Sequence, residues 1–401
     1  MASRTRPRVL IAGGGLGGLT AALSLLRRGI DVEVFEQAPE LREVGAGVQI
    51  SANGSRALFE LGIGEAVAER STVASGKEIR LWSTGQIWKL FDLGATSVER
   101  YGFPYLTVYR PDLLDALVQG VQREKPDAIH LGSKVAGFAR RGDAVELRLE
   151  DGRTVEGDVL VGADGIHSRI RHGLFGEDHP TFTGLMAWRG LIPMEKLPPH
   201  LARPVGTNWV GPGKHIVHYP LRRGELMNFV GMVERDDWKV ESWTARGTTA
   251  ELANDFAGWH EDVQTMIQNI AEPYKWAMML RQPLPRWTEG RVTLLGDACH
   301  PTLPMLAQGA VQAIEDGFIL GRALAEHPGD LEDALRRYEE ARRERTTRMV
   351  LGSAENAKRF HNPSLADPEG AAAYVNREWA EERVQERYDW LFRYQVDTVP
   401  V

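Results

Sequence analysis

The stretch RVLIAGGGLGGLTAALSLLRRGIDVEVFEQ, Arg8 to Gln37, places five glycines in the six positions from 13 to 18, between one apolar run and a longer one. Gly13-x-Gly15-x-x-Gly18 follows a strand-like run, Val9 to Ala12, and opens a helix-like run, Leu19 to Leu26; a second strand, Val32 to Phe35, ends in Glu36. This is a complete βαβ unit. Gly13 and Gly15 permit a tight turn and let backbone N–H groups approach a pyrophosphate at the helix N-terminus, where the macrodipole favours negative charge. Gly18 lets helix and strand pack closely. Glu36 stands eighteen residues past Gly18, near the spacing of about twenty at which an acid accepts hydrogen bonds from a ribose. A merely structural glycine turn would leave Glu36 unexplained, so the unit predicts a bound dinucleotide.

Composition narrows the partners. A chain of 401 residues can form roughly two or three domains with substantial cores. Net charge is −7, with acids and bases interspersed, which offers no footprint for nucleic acid or an anionic membrane and points to a small-molecule partner. The single cysteine, Cys299, excludes an intramolecular disulfide and a multi-cysteine metal site and fits a reducing cytosol. Arg4, Arg6 and Arg8 ahead of uncharged Leu10 to Leu26 imitate a signal peptide, but the glycines break the apolar helix it needs. No uninterrupted apolar run reaches the about twenty residues of a membrane span. The expectation is a cytoplasmic protein, monomer or homodimer, with no metal.

The pattern along the chain predicts an α/β fold: a Rossmann-like nucleotide-binding domain from 1–181 and 281–360, an inserted sheet-rich substrate domain at 182–280, and a C-terminal helical segment at 361–401. Alternation in AVELRLEDGRTVEGDVLVGADG gives short strands with an Asp151-Gly152 hairpin, the last strand apolar and buried. Pro111 suits the first turn of a helix in TVYRPDLLDALVQGVQRE. In VLVGADGIHSRIR, Asp164 and Gly165 close a buried strand, followed by Ser168 and Arg171 on a starting helix; in RVTLLGDACHP, Asp297 closes another, and a helix follows from near Gly309. Ligands bind at strand C-termini of open parallel sheets.

The ordered set Gly13-x-Gly15-x-x-Gly18, Asp164-Gly165-x-x-Ser168-x-x-Arg171 and Gly296-Asp297 resembles the single-component FAD-dependent aromatic hydroxylases over nearly the whole chain. Within that family Glu43 to Gly47, Tyr109 to Leu113, His215 to Leu221 and Ala307 to Ala310 are most similar to salicylate hydroxylases and 3-hydroxybenzoate 6-hydroxylases. The resemblance implies non-covalent FAD, NADH or NADPH as co-substrate, and O2. It assigns Asp297 to the ribityl chain, Arg110 to the cofactor across the cleft, Asp164 and Gly165 to both nucleotides, and Gly309 and Ala310 to the flavin pyrimidine edge. It adds cofactor contacts at Leu16, Gln37, Gly47, Val48 and Val135. Arg110 could instead pair with Asp112 or Asp115 on its own helix. The presence of one βαβ fingerprint disfavours a disulfide reductase with a separate nicotinamide domain. AWRGLIP lacks the second tryptophan of the halogenases' W-x-W-x-I-P.

In KHIVHYPL the period of two puts His215, Val217 and Tyr219 on one face, Ile216 and His218 on the other. The family hydroxylates rings through a flavin C4a-hydroperoxide, an electrophile that prefers a phenolate. A base is therefore needed, and a histidine with a pKa of about 6.5 suits it; a histidine satisfied within the sheet is the alternative. The resemblance thus implies His215 and Tyr219 as catalytic, with Gln49, Trp188 and Pro304 on the substrate. Pro304 replaces the glutamine expected of a 3-hydroxybenzoate 6-hydroxylase and favours a salicylate-type acid. A hydroxypyridine carboxylate, a polycyclic antibiotic, or a non-catalytic flavin-binding module are the other readings. Cys299 and His300 read as buried filler and loop chemistry.

Overall fold

In a computed structural model the described residues are 7–41, 46–237 and 245–401. Arg4, Arg6 and the family-like Glu43, Val44 and Gly45 lie outside them.

A five-stranded parallel sheet runs in the order Val292–Leu294, Val159–Gly162, Arg8–Ala12, Asp31–Phe35, Ile129–His130. Its central strands are continuous apolar runs because helices cover both faces, and Val159–Gly162 is wholly buried. The helix Leu16–Arg27 follows the glycine turn, and the helix Gly309–Glu326 packs directly on it. That approach needs glycine: a Cβ at Gly17 would lie 2.5 Å from Leu295, one at Gly317 2.6 Å from the Ala21 nitrogen, and one at Gly321 2.2 Å from the Ser24 hydroxyl.

The second large sheet has seven strands, ordered Tyr274–Leu280, Thr181–Pro193, Leu226–Glu234, Lys214–Leu221, Val205–Gly211, Gly76–Leu81, Ile87–Asp92. Here the sequence boundary at 182 needs correction, because the last two strands come from a stretch assigned to the nucleotide domain. Gly76–Leu81 joins by parallel pairing with Val205–Gly211, a non-local contact that no turn signal announces. One face of this sheet is closed by the helices Thr249–Asp255 and Glu261–Gln268 over Trp188, Ile216 and Phe229. The other face carries Ile79, Ala187 and Met232, which pack with residues of Leu331–Phe360, Pro368–Glu378 and Glu381–Phe392. The C-terminal helices are therefore part of the body. No helix among the described residues is long and apolar enough to cross a membrane.

The long helix is anchored by Arg342, whose Nη1 lies 2.6 Å from Glu315 and Nε 2.7 Å from Asp316, all three side chains fully buried. Arg342→Met would leave two buried carboxylates short of their counter-ion, and breaking a buried pair this way costs about 3–5 kcal/mol. Urea unfolding of the variant is expected to show a loss of that order.

Candidate active site

Two cavities meet at Gly15 and Ala163, beyond the C-terminal ends of the parallel strands. The larger, about 780 Å³, is lined by Gly13, Gly15, Glu36, Gln37, Val135 and Asp164. Gly13 has φ +108° and sits so close to the 159–162 strand end that a Cβ would come 2.4 Å from the Ala163 carbonyl oxygen. Gly18 lines neither cavity: a Cβ there would meet the Gly13 carbonyl oxygen at 2.1 Å, so its work is helix–strand packing rather than cofactor contact. Glu36 accepts from the Gly14 N–H at 2.7 Å and from Ala38 N–H at 2.8 Å. These bonds fix a carboxylate in the cavity wall with lone pairs to spare. Asp164 accepts from the Ser168 hydroxyl at 2.5 Å and the Arg169 N–H at 2.7 Å. Burial pushes its carboxyl up, and those donors only partly offset this.

The second cavity, about 350 Å³, has two ends. One is lined by Leu16, Gly47, Val48, Arg110, Gly165, Asp297, Gly309 and Ala310. The helices starting at Leu16 and Gly309 both begin without a side-chain cap, so both direct uncapped N–H groups and the positive end of a dipole at one cleft. Asp297 is open to the cavity but enclosed on its other sides; that enclosure pushes its carboxyl up, opposed by His300 and Arg110. A glycine turn, two uncapped helix starts, an acid at each end and open space beside Gly15 fit an extended dinucleotide such as FAD. Arg110 lines this cavity, and Asp112 on the same helix accepts from Arg222 at 2.8 and 2.6 Å.

The other end is lined by Gln49, Lys77, Arg189, His215, Val217, Tyr219, Trp276, Pro304 and Phe360. The alternation predicted for the 214–221 strand holds, with Ile216 in the opposite core and His218 beneath it, pushed down to about 3 chiefly by burial. Tyr219 is nearly buried, its phenol pushed up mainly by desolvation. Gln49 accepts from the Tyr105 hydroxyl at 2.9 Å and is a strand residue, not a helix cap. His215 Nδ1 lies 2.6 Å from His361 Nε2, and His361 Nδ1 2.8 Å from Glu234 Oε1.

Trp188 is a correction. It is buried on the far face, its indole N–H donating to Asp255 at 2.7 Å, and it does not line the cavity. Its neighbour does: Arg189, with its guanidinium 4.3 Å from the Trp276 ring centre. Sequence reasoning also missed Lys77, whose Nζ lies 4.9 Å from the Tyr105 ring centre and pairs with no carboxylate among the described residues. Desolvation pushes that ammonium down to about 7. The sequence offers no signal that separates Lys77 from Arg80 in the same strand, GKEIRL.

A profile of the FAD binding domain family matches residues 6–353. The chain is 40% identical over 361 residues, 90% of each chain, to a 3-amino-4-hydroxybenzoate 2-monooxygenase of Streptomyces platensis. It is 35% identical to a 3-hydroxybenzoate 6-hydroxylase of Polaromonas naphthalenivorans, covering 97% of this chain and 96% of the relative. A solved salicylate hydroxylase substrate complex superposes with a TM-score of 0.81 at 28% identity, covering 98% and 97% of the two chains.

Asp297→Ala is expected to keep the fold and lose most bound flavin, since a polar group buried without its partner costs roughly 1–3 kcal/mol. Flavin absorbance retained after gel filtration, against circular dichroism, measures this; unchanged affinity would make Asp297 structural.

Proposed function

Because the chain belongs to the FAD-dependent aromatic monooxygenases, we propose that it hydroxylates a hydroxybenzoate-type phenolic acid, with NADH or NADPH as electron donor and O2 as oxidant. The observation that carries this reading is the placement of His215 and Tyr219 on one strand face, opening into a cavity that the two uncapped helix starts also line. Glu36, Gly15, Asp164, Arg110, Asp297 and the 309–310 turn would hold FAD. Its chemistry, when bound, is the activation of oxygen with electrons from the nicotinamide.

The chain's own residues supply the rest. Burial keeps His215 uncharged, pushing its pKa well down with His361 adding to the effect, so at neutral pH its free ring nitrogen can accept the phenol proton. Tyr219 stays a neutral phenol and can donate to the resulting oxygen. Of the cavity's cations, Arg110 is assigned to the cofactor, and Lys77 and Arg189 would take the carboxylate; a desolvated ammonium gains most from a ligand that brings a counter-ion. Pro304, Phe360 and Trp276 exclude water around the ring. The salicylate-type acid expected from Pro304 falls within this class, and so does 3-amino-4-hydroxybenzoate, the substrate named for the 40% identical relative. Stimulation of NAD(P)H oxidation by such acids, with identification of the product, tests the reading; a flavoprotein that none of them stimulates would favour the flavin-binding module.

His215→Ala is expected to keep FAD and NADH oxidation but to release hydrogen peroxide in place of product, with product formation down on the order of 100- to 10,000-fold and partly restored at high pH. Product formed per NADH oxidised across a pH series measures it. Lys77 makes a second prediction. Its ammonium is cationic below a pKa of about 7, so benzoate, which has no phenol to ionise, should bind best below pH 7. Its affinity should weaken towards about tenfold per pH unit above that. In Lys77→Met, binding should be weaker and flat with pH, as read from perturbation of the flavin spectrum.

A further inference from the structure

His215 reaches the solvent through two side chains. His361, at the C-terminal end of the helix Leu331–Phe360, is 5% exposed, while the Glu234 side chain beyond it is 56% exposed. Backbone bonds hold the three together: Glu234 N–H donates to the Gly213 carbonyl at 3.0 Å, and Gly213 N–H to the His361 carbonyl at 3.2 Å. The carboxylate dictates the tautomers. An ionised Glu234 can only accept, so His361 carries its proton on Nδ1 and leaves Nε2 as an acceptor. His215 then carries its proton on Nδ1, donated to His361 Nε2, and its Nε2 is left with a lone pair for a ligand in the cavity that it lines.

We propose that His361 and Glu234 are the proton exit of this site, a positioning and relay pair that makes His215 Nε2 the base and carries the substrate's proton to water. The proposal rests on the reading of His215 as base. As His215 Nε2 takes the phenol proton, its Nδ1 proton passes to His361 Nε2, and the His361 Nδ1 proton passes to the Glu234 carboxylate and then to solvent. Each histidine ends neutral, in the opposite tautomer. No electrons move. The exit is needed because burial disfavours a charged His215, and desolvation likewise lowers His361, with Glu234 opposing. The groups whose charge acts on His361 are Glu234, from the neighbouring strand end, and His215.

The test needs no turnover. FAD-loaded enzyme is mixed by stopped flow with 4-hydroxy-3-nitrobenzoate, at a pH where the free phenol is un-ionised, and the phenolate band and proton release to a pH indicator are followed. His361→Asn and Glu234→Gln are expected to bind the probe with parental affinity yet form phenolate and release its proton at least about tenfold more slowly. Glu234→Asp should stay near the parental rate, and added imidazole should restore His361→Ala. Parental rates in His361→Asn and Glu234→Gln, alongside a His215→Ala variant that fails to ionise the probe, would overturn the relay and leave the base standing. Normal ionisation in His215→Ala would overturn the base and the relay with it. Loss of stability or affinity in His361→Asn with an unchanged rate and no imidazole rescue would reduce His361 to packing.

Discussion

The ion cluster around Arg342 sets the geometry of the cofactor end. Glu315 is shared by Arg342 and Arg345 at 2.6 and 2.8 Å and accepts from the Asn53 amide at 2.6 Å; Asp316 accepts from Arg342 and the Gly296 N–H and meets His300 at 2.6 Å. Burial opposes the charge on Asp316, but His300 and Arg342 outweigh it and hold the carboxyl below its usual range. Desolvating such charges is repaid only when nearly every lone pair and proton is engaged. That demand ties the 296–300 loop, the helix Gly309–Glu326, the helix Ala52–Glu60 and the long helix into one arrangement. Asp297 and the Gly309 turn face the cleft from that arrangement. Cys299 and His300 belong to this structural cluster, and the Asp316 oxygens are already committed within it.

The same long helix acts at both ends of the site. Its middle holds Arg342 in the ion cluster, and its C-terminus delivers Phe360 to the cavity and His361 to His215. The ion cluster and the surroundings of His215 are thus joined through one helix. The 214–221 strand shows how little separates a histidine that faces the cavity from one in the interior of the sheet. His215 and His218 are both held neutral by burial, but His218 has neither ring nitrogen bonded and faces the buried Glu78, Arg80 and Asp262. His215 faces a cavity and has a partner. Close approach across that cavity depends on Gly47, where a Cβ would stand 2.6 Å from the Tyr219 ring.

Local pattern was enough to determine the parts of this protein governed by short-range rules. Steric freedom at Gly13, the strand–turn–helix order from Arg8 to Glu36, the helix start at Gly309 and the period-two face of His215 and Tyr219 are all properties of neighbouring residues, and each stands in the structure where the sequence put it. Tertiary structure alone decided the rest. The strands from 76 to 92 entered the second sheet by a parallel pairing with residues about a hundred and thirty positions away, as in Gly76 with Val205, and this brought Lys77 into the cavity. Which of Trp188 and Arg189 faces the cavity depended on the register of a strand that shifts between Phe182 and Met186, since a slip of one residue exchanges the two faces. His361 meets His215 and Glu234 across sequence separations of 146 and 127 residues. No local propensity encodes such a meeting, because it exists only once the C-terminal helix has packed against the sheet.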